Sequence, residues 1–177
     1  MVDSVFEDVV FSTSAKVRAV NSSVSDATTT PGEELEVSRD DGSLVVRFLS
    51  LVDEENETLR KLVSKAVFML RTCRYDESDI ATVLAMAALQ YNRFVDRMST
   101  LSTTSEKAFI ILTHVYLAHC LALDECCNIS NWHKYLFASY CDLRSLTIAI
   151  IKILRKLDYQ LFIDSTVVSH TSQYILS

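Results

Sequence analysis

The stretch from Thr103 to Leu123 constrains this chain most. Its apolar residues recur on every side of a helical projection rather than on one stripe. A helix of that kind is stable in water only when other helices surround it. Thr103-x-x-Glu106 opens the segment as a capping box, in which a hydroxyl and a carboxylate satisfy orphan amides. The rest of the chain must therefore supply a helical shell. Composition agrees: Gly occurs 2 times and Pro 1 time in 177 residues, against 49% hydrophobic content. So few breakers point to an all-α fold.

The shell can be read from the periodicity. A helix is expected over roughly Glu57–Cys73, with Leu59, Leu62, Val63, Val67 and Leu70 on one stripe. A second is expected over Ser78–Met98, where Ile80, Val83, Leu84, Ala87, Tyr91, Phe94, Val95 and Met98 recur at spacings of three and four. A short helix is expected over Ser130–Leu136. A last one follows Ser139-x-x-Asp142, a weaker capping box, and ends near Leu157, with Leu143, Leu146, Ile150, Ile153 or Leu154, and Leu157 inward. Trp132 reads as a core residue sealing the bundle. Between Leu35 and Leu49, Asp41-Gly42 separates two β-prone stretches, which predicts a short β-hairpin. The expected organisation is an acidic extension over 1–56, a helical body over 57–162 and a tail over 163–177. Residues 1–35 read as a poorly ordered arm.

Several function classes are disfavoured. Residues 1–57 hold 13 acidic and 4 basic side chains, so the remainder is only weakly basic. That balance argues against nucleic acid as a partner. The longest apolar run, Ala108–Leu123, is short of the ~18 residues a membrane span needs. The acidic N-terminus lacks a basic n-region, so no signal peptide is expected. Five Cys without a secretory signal suggest reduced thiols in the cytoplasm or nucleus. The three Asn-x-Ser/Thr matches then read as chance.

His114, His119, Cys120, Cys126, Cys127 and His133 invite a zinc reading. The two helix His are five apart and two of the Cys are adjacent, which fits no common ligand spacing. Cys120 beside His119 could be a nucleophile pair, yet apolar helix surroundings raise a thiol pKa and make it inert. No Gly-rich turn offers an oxyanion site. The chain is expected to be neither an enzyme nor a holder of a metal or cofactor. Lys152, Arg155 and Lys156 read as a solvated face that could receive the acidic arm.

Sequence pieces in a fixed order suggest a family. They are Leu84-Ala-Met-Ala-Ala-Leu-Gln-Tyr-Asn-Arg-Phe-Val95, Ala118-His119, Asp124-Glu125-Cys126, Trp132-x-Lys134, and Leu154 with Leu157-Asp-Tyr-x-Leu161. Over 57–162 the chain resembles the cyclins, specifically the phosphate-responsive P/U type of fungi and protozoa. The resemblance implies a single five-helix cyclin box and a regulatory subunit that binds and activates a cyclin-dependent protein kinase. The kinase-binding residues it implies are Cys120, Asp124, Glu125 and Ile150, on or beside the central and last helices of the box. In cyclins a Lys and a Glu pair at the positions of Cys120 and Ile150. Both are apolar here, so the fold can persist while the usual kinase contact is missing. Leu123 replaces the first acid of the central motif, and Leu62–Leu70 lacks the substrate-docking sequence of mitotic cyclins. The alternative is a cyclin-fold scaffold or adaptor that has lost kinase activation. A DNA-binding relative of the fold is disfavoured by the net charge of −6.

Overall fold

A computed structural model of the protein describes residues 39–54, 56–98, 103–123 and 127–177. Among them every regular element is helical. We label these α1 (Arg39–Leu51), α2 (Glu57–Thr72), α3 (Glu77–Asp96), α4 (Thr104–Ala122), α5 (Ile129–Trp132), α6 (Leu143–Lys156) and α7 (Ser165–Leu176). A π-helical turn, His133–Phe137, continues α5. The arm over 1–35 lies outside the described residues.

α4 is central, as its all-round apolarity requires. Its Phe109, Ile110, Ile111, Leu112, Val115 and Ala118 are all buried. It packs most extensively on α3, and α3 in turn on α7. The Thr103 hydroxyl accepts from the Glu106 amide at 3.2 Å, capping α4. The expected stripes of α2 and α3 face inward from Leu59 to Leu70 and from Ile80 to Phe94. Val95 and Met98 are half-buried at its edge.

Three elements differ from expectation. The hairpin at Asp41-Gly42 is a helix, α1. A strand would alternate Val45 and Val46 across its two faces and leave Phe48 on Val46's side. Instead Leu44, Val45, Phe48, Leu49 and Val52 are buried together, and Val46 is 47% exposed. That is a helical spacing, and tertiary burial overrides the β-prone composition. Asp41 is itself buried and pairs with Arg71 of α2 (Nε to Oδ1, 3.1 Å). α1 thus shares one hydrophobic core with α2–α4. The cap of α6 is Asp142, whose carboxylate accepts from the Ser145 amide at 2.7 Å; Ser139 lies in the preceding turn. Finally, the β-branched tail forms α7, capped by Asp164 and anchored through Val168 and Ile175. Two inward positions seven residues apart give only a faint helical signature.

The helix ends explain how so few glycines suffice. α1, α2 and α6 each finish in a Schellman motif, in which a left-handed residue lets two amides reach back to orphan carbonyls. At α2 the Arg74 amide bonds Arg71 O and the Tyr75 amide bonds Leu70 O. The left-handed position, usually Gly, holds Asp53 (φ 52°), Arg74 (φ 68°) and Asp158 (φ 53°), and Tyr159 (φ 59°) follows suit.

Candidate partner-binding site

α4 carries the histidines that invite chemistry, and its packing makes them structural. His114 Nδ1–H donates to Ile110 O at 2.8 Å, so the neutral ring carries its proton there. Tyr91 and Phe94 of α3 meet it edge-on at 6.0 and 5.3 Å. Burial pushes its pKa down to about 4, against a smaller upward pull from the bond to Ile110. The same enclosure pushes the Tyr91 phenol up to about 12. His119 shares a hydrogen bond with the Tyr75 hydroxyl (3.3 Å) and packs at 5.5 Å from Trp132. Its pKa is also lowered by burial. Trp132 is fully buried, also meets the Tyr116 ring at 5.5 Å, and closes this cluster. Among the described residues no three metal-ligating side chains converge. His133 Nε2–H donates to Cys141 O.

Two of the sequence pieces singled out above meet in space. From one face of α3, Gln90 Nε2 donates to Leu161 O, and Arg93 Nη1 donates to both Gln160 O and Phe162 O. One turn on, Arg97 Nη1 reaches Lys156 O and the Asp158 carboxylate. Gln90 and Arg93 therefore clasp the stretch from Gln160 to Phe162 through main-chain carbonyls, and Arg97 adds one contact to a side chain, the Asp158 carboxylate.

An apolar groove of about 500 Å³ lies between α2 and the α5–π turn. Phe68, Met69, Tyr135 and Leu136 form its walls, with Cys73 and Cys127 also lining it. Phe68 is 44% exposed and Tyr135 61%, large apolar areas to leave in water. Lys134 extends over the Tyr135 ring at 5.3 Å. π-turns recur at functional positions because the extra residue per turn re-aims side chains. Sequence reasoning passed over this groove. Phe68 did carry a signal, being a large aromatic off the α2 stripe.

The four residues implied by resemblance are placed unevenly. Cys120 is half-buried in the last turn of α4, and Ile150 is buried midway along α6, 8% exposed. α4 meets α6 far less than it meets α3. Asp124 and Glu125 lie outside the described residues. Comparison of the chain with protein-family models, with curated proteins and with solved structures finds no significant match.

Proposed function

We propose that this protein is a cyclin-like regulatory subunit that binds a cyclin-dependent protein kinase. The observation that carries the reading is the Arg93 clasp. Arg93, in one segment on which the resemblance rests, bonds Gln160 in another and Phe162 just beyond it, in a bundle that has a central buried helix of the kind a cyclin box needs. Regulation would act by repositioning the kinase's mobile helix so that its own Lys–Glu pair forms. Cys120 and Ile150 replace the customary ion pair, so binding leans on apolar contact. Cys120 is the more accessible of the two and the better point of attack.

Co-expression with a panel of cyclin-dependent kinases tests this. At least one stable one-to-one complex is expected, with raised kinase activity. Cys120→Lys should weaken that complex at least tenfold, about 1.4 kcal/mol. Failure to form a complex with any kinase overturns the reading. The missing ion pair also favours a second reading, an adaptor that binds without activating; a complex with unchanged kinase activity would select it.

A further inference from the structure

Cys73 and Cys127 face each other with their sulfurs 2.8 Å apart. Cys73 is the C-cap of α2, and Cys127 stands one residue before Asn128, the cap of α5. They come from positions 54 residues apart and meet at the wall of the apolar groove, where both are half-buried. A disulfide needs sulfurs about 2.04 Å apart, so less than ~1 Å of closure separates the thiol pair from the bond. Cys120 and Cys141 lie elsewhere, on α4 and at the start of the α6 cap. From this juxtaposition we propose that Cys73 and Cys127 form a modification site, a dithiol that oxidises reversibly to a disulfide joining α2 to α5.

The co-reactant is a low-molecular-weight disulfide of the glutathione class. One cysteine thiolate attacks it and releases one reagent thiol, leaving a mixed disulfide. The second cysteine then attacks the protein-side sulfur and releases the other. One S–S bond forms and one breaks. The cysteines lose two electrons, the reagent gains them, and the two cysteine protons end on the released thiols. The openness of the groove gives the reagent a path to both sulfurs. The new bond would enclose α3 and α4 in a covalent loop, which restricts the unfolded chain and stabilises the fold.

The full-length protein is equilibrated in glutathione buffers of increasing oxidised fraction, quenched by alkylation and weighed. The unmodified chain should go from five alkylated thiols to three, with the unfolding midpoint rising by about 5–10 °C. A tryptic digest should yield Thr72–Arg74 joined to Ala108–Lys134. Cys126→Ser should oxidise in the same way, whereas Cys73→Ser and Cys127→Ser should retain all four remaining thiols. Five thiols at every ratio would overturn the proposal. So would a cross-link from Thr72–Arg74 to the peptide holding Cys141, or oxidation lost in Cys126→Ser but kept in Cys127→Ser. Because Ala108–Lys134 also holds Cys120 and Cys126, the linked peptide of the unmodified chain is sequenced by tandem mass spectrometry; a bond at Cys127 supports the proposal and one at Cys120 or Cys126 overturns it, even where a serine variant fails to fold.

Discussion

His114 contributes to the molecule's response to acid. Its pKa is about 4 in the fold and 6.5 in the free side chain. Between those values the unfolded chain binds a proton that the folded chain refuses, so unfolding is favoured as pH falls from 6.5 to 4. The full penalty, reached below 4, is about 3 kcal/mol at 1.36 kcal/mol per unit. Urea unfolding at pH 7 and pH 4.5 should show the greater part of this loss, about 2 kcal/mol. His114→Asn, which keeps a donor near Ile110 O and cannot titrate, should flatten that part of the profile. The residue also shows what a sequence can convey. Its apolar neighbours on α4 foretold burial and argued against chemistry, but the tautomer depends on the local carbonyl. A second residue-scale expectation concerns Arg74. A non-glycine residue in the left-handed region costs about 1–2 kcal/mol, so Arg74→Gly should stabilise by roughly 1 kcal/mol, less the entropy glycine adds to the unfolded chain. Thermal unfolding will register it as a rise of a few degrees.

At the scale of elements, α2 and α3 were legible from their long apolar stripes and α4 from its all-round apolarity and its Thr103 cap, whereas Asn56 and Asp76, which cap α2 and α3, stand out only in the structure. α1 was misread because Asp-Gly between β-branched residues is the strongest short-range hairpin signal. What defeats that signal is non-local: Asp41 finds Arg71, Arg47 finds Ile175 O at 2.8 Å, and the Gly42 position is open to solvent. None of those partners can be inferred from neighbouring sequence. The reach of Arg93 across to Gln160 and Phe162 was equally hidden, although both segments had been singled out. Phe48 on α1 is fully buried. Phe48→Ala should therefore cost about 3–5 kcal/mol in chemical denaturation. A cost under ~0.5 kcal/mol would mean that α1 is an appendage. Arg93→Ala should leave helix content unchanged in circular dichroism while speeding tryptic cleavage after Lys156, since the following segment loses its carbonyl contacts.

For the whole molecule, α4 decides whether a fold exists. Val115 is fully enclosed, and an aspartate there would be an unpaired charge with no route to water. Val115→Asp should abolish the cooperative unfolding transition and the near-ultraviolet dichroism together, whereas a merely local defect would leave a transition at reduced temperature. No helix among the described residues is long and apolar enough to cross a membrane. The bundle closes by bringing its first described helix against its last: Arg47 bonds the carbonyl of Ile175, and Ser50 meets the Tyr174 hydroxyl at 3.2 Å.

That closure has a cost in time. The two ends of the Arg47–Ile175 bond are 128 residues apart. A ribosome adding about 5–20 residues per second needs roughly 6–25 s to produce the second after the first. For part of that interval α1 is outside the exit tunnel while α7, against which it packs, has yet to be made. A chaperone that recognises apolar helices would therefore find a better target in the nascent chain before α7 is made than after α1 and α7 have packed together.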